Sequence, residues 1–170
     1  MKKALVLGLL LGIFSPLSAI GDGTLVKFKG GIGVDPVSSV TVTPTDTTVN
    51  RNVVRGISPP GQVWRIADLT ADVRLDGRIR VDGRGLLLAG GNAIGTNAGQ
   101  SVFATLICGA LPAGPFTLHS SGTVALEPNG DFGIDDLLSP TPENPCNNPV
   151  LLIRNVAGAW FAAGIPRLDD

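Results

Sequence analysis

The feature that most constrains this chain is a phase relation kept across a turn. From Ala67 to Asp82 apolar and polar side chains alternate, and the break at Asp76-Gly77 does not disturb the phase. Odd positions carry Ala67, Leu69, Ala71, Val73 and Leu75, then Ile79 and Val81. Even positions carry Asp68, Thr70, Asp72 and Arg74, then Arg78, Arg80 and Asp82. Successive side chains of a strand point to opposite faces, so the segment reads as two half-buried strands. A two-residue Asp-Gly loop would set Leu75 against Arg78, and a slip of one residue turns every side chain to the wrong face. A three-residue loop, Leu75-Asp76-Gly77, keeps the faces matched. It requires a type I turn followed by Gly77 in the left-handed region, where glycine has no Cβ to clash. The predicted pairs are Arg74 with Arg78, Val73 with Ile79, Asp72 with Arg80, and Ala71 with Val81.

The same device recurs twice. Glu127-Pro128-Asn129-Gly130-Asp131 predicts a hairpin with Gly130 left-handed, Leu126 opposite Phe132 and Val124 opposite Ile134. Leu151–Asn155 returning as Ala159–Ala162, with Gly158 left-handed, sets Ile153 against Phe161 and Arg154 against Trp160. That last pair predicts a cation stacked on a ring. Further strands are expected at Thr24–Lys29, Val37–Val42, Gly85–Leu88, Val102–Cys108 and Pro115–Ser120. Thr41–Asn50 reads as an edge strand or a loop. With no helical period after the first nineteen residues, the expected fold is all-β: an antiparallel β-sandwich or flattened β-barrel built from successive hairpins, closed by one disulfide.

The N-terminus predicts export. Lys2 and Lys3 precede an apolar run from Ala4 to Phe14, Ser15-Pro16 ends it, and Leu17-Ser18-Ala19 offers a small residue for cleavage. This is the pattern of a signal peptide over residues 1–19, with a single domain over 20–170. The run is shorter than the roughly 20 residues a bilayer span needs, and no second run follows, so no transmembrane span is expected in the mature chain. In an oxidising secreted or periplasmic compartment, Cys108 and Cys146, the two cysteines of the chain, are expected to pair. Segments 78–91 and 149–155 resemble secreted bacterial proteins, and no functional residue carries over from that likeness.

Composition and motifs narrow the function more by exclusion than by assignment. A formal net charge of −1 gives no support for nucleic-acid binding. Although 23 glycines and 13 prolines are many, 44% apolar residues are too many for a disordered chain. His119, the only histidine, has Ser120 and Ser121 beside it, but neighbours on a strand face opposite ways, so Ser-His-Asp catalysis is not expected. The expected setting of His119 is a half-exposed strand or turn. Asp131, Asp135 and Asp136 have the alternation of a calcium loop. Phe132 stands where such a loop needs glycine and Leu138 where it needs a bidentate glutamate, so no metal is expected. Arg74, Arg78, Arg80 and Arg84 share a polar face with Asp72 and Asp82, which predicts a solvated, charge-balanced surface. Trp64 and Trp160 are expected in the core or covering an edge. The candidate binding loop is 89–99, through Gly90, Gly91, Asn92, Gly95, Thr96, Asn97 and Gly99, where glycines expose backbone N–H groups.

These features predict a non-enzymatic secreted or periplasmic β-domain that acts in binding or envelope assembly, without a cofactor, on a protein or small-ligand partner. Two rival expectations are a small β-barrel that holds or rearranges an apolar ligand, and a hydrolase using His119.

Overall fold

The structure, a computed structural model, describes residues 23–167. The expected signal peptide, residues 1–19, lies outside the described residues. Among the described residues there is no helix. The first strands are β1 (Thr24–Gly33), β2 (Val37–Val42), β3 (Thr47–Arg51) and β4 (Trp64–Arg65). Next come β5 (Asp68–Arg74), β6 (Arg78–Arg84), β7 (Leu87–Leu88), β8 (Ser101–Gly109) and β9 (Phe116–Ser120). The last are β10 (Val124–Ala125), β11 (Phe132–Leu137), β12 (Val150–Asn155) and β13 (Trp160–Pro166). The main sheet is antiparallel and runs β10-β8-β12-β13-β1-β5-β6-β11, with β9 also on β8. It curls into a half-barrel. Its two ends touch at one bridge, where Ser120 and Ser139 exchange backbone hydrogen bonds of 3.0 and 2.9 Å.

The first hairpin forms in the register that phase alone demanded. Val73 lies opposite Ile79, Asp72 opposite Arg80 and Ala71 opposite Val81. Gly77 has a φ of 85°, and its N–H donates to the Arg74 carbonyl at 3.0 Å. Leu69, Ala71, Val73, Ile79 and Val81 are buried, while Asp68, Arg74, Arg78, Arg80 and Asp82 are exposed.

The second turn also forms, with Gly130 left-handed at φ 82° and the Glu127 N–H on the Asp131 carbonyl at 2.9 Å. The pairing expected of its arms does not. Val124 pairs with Val102 on β8, and Phe132 and Ile134 pair with Gly83 and Val81 on β6. Its arms are the two ends of the sheet, so this turn spans the seam of the half-barrel. Alternation gave the correct buried face for Phe132 and Ile134, but alternation carries no information about which edge a strand joins.

The third hairpin keeps Arg154 opposite Trp160, but a bulge sets Ile153 against Ala162 instead of Phe161. A bulge adds one residue to one strand and shifts the phase, and here Trp160, Phe161 and Ala162 are buried in succession. Trp160 is not stacked on by Arg154. Its indole donates to the Asn52 carbonyl at 2.9 Å, and the Arg154 guanidinium lies over Phe103 instead, 5.2 Å from the ring centroid. Trp64 and Phe161 stack with centroids 4.1 Å apart.

Strands β8, β12 and β13 are buried on consecutive residues, because chain covers both of their faces. The segment after β3 forms one cover. A tight turn at Arg55-Gly56, with φ of 46° and 83°, lets Val54 and Ile57 pair. Arg55 donates to the carbonyls of Ile107 (3.1 Å) and Asn148 and lies over the Phe116 ring, 4.9 Å from its centroid. Burial lowers its pKa from the ordinary guanidinium value. The expected disulfide forms between Cys108 and Cys146, 38 residues apart, and pins the 140s segment against β8.

Candidate functional site

The structure places the candidate residues in four separate settings. His119 is on β9 and is 2% exposed, not half-exposed as its sequence neighbourhood suggested. The irregular segment that the disulfide anchors closes over it: Nδ1 lies 2.8 Å from the Pro140 carbonyl, and Nε2 lies 2.9 Å from Glu143 and 3.1 Å from the Thr117 hydroxyl. The Thr117 hydroxyl donates to Glu143 at 2.7 Å, and this bond is the main reason the Glu143 carboxyl sits below its ordinary pKa. Ser120 bonds Thr105, and the Ser121 hydroxyl accepts the Ala104 N–H and donates to the Gly122 carbonyl. No described serine addresses the imidazole, and both ring nitrogens are occupied by structural partners. Cys108 lies near His119 and Glu143, but its sulfur is committed to the disulfide.

The three carboxylates of the calcium-like segment do not converge. Asp131 accepts from the Gly85 N–H (2.9 Å) and from Asn129 (2.9 Å). Asp135 takes Arg78 and Arg80 at 3.0 and 3.1 Å. Asp136 accepts from the N–H groups of Gly122 (2.6 Å) and Leu137 (2.8 Å), which hold its carboxyl below the usual range. Each acid is spent on a different turn or strand contact.

The arginine face is charge-balanced, as its sequence implied. Register aligns Lys27, Asp72, Arg80 and Asp135 across β1, β5, β6 and β11, so sign alternates from strand to strand. Arg84 pairs with Asp82 at 3.1 Å. These exposed pairs are each worth little in water. The cleft above them, about 570 Å³, is lined by both signs, which gives it no preference for an anion.

The 89–99 loop is built, not slack. Leu88 donates to the Thr96 carbonyl at 3.0 Å and Gly95 donates back to the Leu88 carbonyl at 2.9 Å. Asn97 ties the loop to the seam turn, donating to the carbonyls of Leu126 and Glu127 at 3.0 Å each, and its own Oδ1 accepts the Gly99 N–H at 3.0 Å. The Thr96 hydroxyl donates to the Ala93 carbonyl at 2.8 Å. Asn92 is exposed. Gly90 and Gly91 line a cleft of about 320 Å³ together with Asp35, Val37, Gln62 and Val63.

That cleft joins the loop to the element sequence reasoning underrated. β2 and β3 form a two-stranded ribbon separate from the main sheet, and every residue of both strands is exposed. The segment read as an edge strand or loop is the outer part of this ribbon. Its register pairs Val37 with Arg51, Val40 with Val49 and Val42 with Thr47, with a bulge after Val37. One face therefore carries Val37, Val40, Val42 and Val49, with Thr47 toward the tip and Arg51 at the base, and the other carries Ser39, Thr41, Thr48 and Asn50. The hydroxyl face is braced from within: Ser38 donates to the Asn50 carbonyl (3.2 Å) and Asn50 to the Ser39 hydroxyl (3.0 Å). Thr43-Pro44-Thr45-Asp46 makes the tip, with proline where a type I turn favours it and a 2.7 Å bond from the Thr43 N–H to the Asp46 carbonyl. Arg51 fastens the base to the carbonyls of Pro59 and Pro60 at 2.7 and 2.9 Å. Val42, Val40 and Val49 are 72, 54 and 53% exposed. The available signal was an uncharged run from Pro36 to Thr45 with valines at 37, 40 and 42. No helix of the described residues is long and apolar enough to cross a membrane. No protein-family model, curated protein or solved structure matches this chain.

Proposed function

We propose that this chain is an exported, non-enzymatic β-domain that works by binding, through the ribbon and the adjoining face of the 89–99 loop. The observation that carries the reading is the ribbon itself. A two-stranded hairpin is marginal in water, yet this one is braced at tip and base and leaves its valine face uncovered. Contiguous exposed apolar surface on a soluble domain marks a contact site. The side chains that could do acid–base work, His119 and Glu143, are bound to each other and to Thr117. The interior is filled by Phe28, Leu69, Ile79, Leu106, Leu152 and Ile153, which favours recognition from outside over a ligand held within. Export rests on Lys2-Lys3, the apolar run Ala4–Phe14 and the disulfide.

The test is made in the producing cell, with a photo-reactive amino acid installed in place of Val42. The expected result is a discrete cross-linked species, formed by protein that lies outside the cytoplasm and has lost its first nineteen or so residues. Mature protein that starts at Met1 overturns the export half, and irradiation that leaves only uncross-linked chain overturns the binding half.

A further inference from the structure

We infer that the occupant of the ribbon's valine face is the same face of a second copy of this chain, the two ribbons lying antiparallel about a two-fold axis. This deepens the binding reading and rests on it.

Three observations favour a second copy. First, the valine face is its own complement. It is apolar at its centre, where Val40 and Val49 are directly paired, and no residue from Pro36 to Thr45 carries a charge. An uncharged arm suits neither a nucleic acid nor an anionic membrane, both of which reward Lys and Arg. Second, the few charges it has sit where antiparallel packing uses them. Asp46 is at the tip, just before the strand bearing Val49, and Arg51, one of whose guanidinium nitrogens holds the Pro59 and Pro60 carbonyls, ends that strand at the base. The strand rises about 3.3 Å per residue, so the two are roughly 17 Å apart along one ribbon. Turning a second ribbon about an axis through the Val40–Val49 pair brings each Asp46 toward the other copy's Arg51. Parallel packing would place like charges together at both ends. Third, the contact is isologous, so it closes at two copies without leaving a free half.

Size sets the strength. The exposed valine surface of one ribbon is a few hundred Å², below the 800 Å² or so that each partner contributes to a standard stable interface. The association is therefore a weak, concentration-dependent dimer.

The test is sedimentation equilibrium on the purified disulfide-bonded chain between about 10 µM and 1 mM, the range in which weak interfaces dissociate. The weight-average mass is expected to climb from one chain toward two. Val40→Asp and Val49→Asp should each hold it at one chain with the melting temperature unchanged, since both side chains are more than half exposed. Asp46→Lys should weaken the dimer several-fold at low salt and less at high salt. A wild-type mass fixed at one chain overturns the inference, and so does a dimer that survives both valine substitutions. The cellular cross-link separates the two readings. A cross-link from position 42 to a different protein, with a monomeric wild type, removes self-pairing and leaves the binding reading intact. Absence of any cross-link removes both.

Discussion

Gly83→Ala should destabilise the domain through one side chain, Phe132. Gly83 sits on β6 between Leu69 of β5 and Phe132 of β11. A Cβ built there falls 2.2 Å from both Cε1 and Cζ of the Phe132 ring. Carbon atoms in contact want about 3.5–4.0 Å, so the ring would have to retreat by roughly 1.5 Å. It is buried, at 6% exposure, and close-packed cores do not yield that far without strain. Overpacking of this kind costs about 1–3 kcal/mol. The lower entropy of alanine in the unfolded chain returns about 0.4–1 kcal/mol of that. The net loss is about 1–2 kcal/mol, or roughly 2–8 °C in melting temperature for a domain of this size. Urea unfolding of Gly83→Ala, Phe132→Leu and the double variant measures it. Leucine at 132 removes the ring that clashes, so the double variant should be less destabilised than the sum of the singles by about 1 kcal/mol. Strict additivity, or a Gly83→Ala midpoint equal to wild type, refutes the reasoning.

Three further outcomes follow from the structure. Replacing Cys108 and Cys146 together by serine should cost about 4 kcal/mol by loop entropy, and reductant should lower the wild-type midpoint alike; an unchanged midpoint contradicts it. Asp136 has a folded pKa depressed by the N–H groups of Gly122 and Leu137, so its contribution is full above the ordinary carboxylate pKa and is lost as pH falls through the lower folded value. Asp136→Asn should therefore flatten the decline in urea midpoint between about pH 5 and pH 2, and matching slopes would count against it. Arg55→Gly preserves the left-handed turn but removes the bonds to the Ile107 and Asn148 carbonyls; a loss of about 1–3 kcal/mol is expected in thermal unfolding, and Arg55→Ala should lose more because alanine is strained at positive φ.

Much of the fold was legible because side-chain phase is a local property. The pairing of Val73 with Ile79 followed from two faces and one glycine. The disulfide was expected from an even cysteine count behind an N-terminus patterned for export. What stayed hidden depended on contacts distant in sequence. Nothing around Glu127–Asp131 says that its arms belong to opposite ends of one sheet. The bulge at Trp160 requires a cover on the outer face, and the 52–58 segment that provides it lies about a hundred residues earlier. His119 is buried because the segment bearing Glu143 is pinned over it, which a window around position 119 cannot show. The valines of the ribbon were visible, but their lack of cover was not, since an alternating strand reads the same whether or not a second layer lies above it.

The seam at Ser120 and Ser139 has a consequence for how copies of this chain can meet. An open sheet has two edges, each a row of unpaired backbone groups that invites a neighbour to add a strand. Here the sheet bends its ends together, and a five-residue turn of the same chain stretches from one to the other, so much of what a neighbour would pair with is turned inward. The ribbon is treated in the opposite way: among the described residues no strand lies beside either outer edge, and every residue of both its strands is exposed. On the binding reading proposed above, protection in one place and exposure in the other would direct encounters between molecules toward this one short arm. If the valine faces pair as proposed above, the contact closes at two copies, so a crowded population of such domains would meet in pairs through that face.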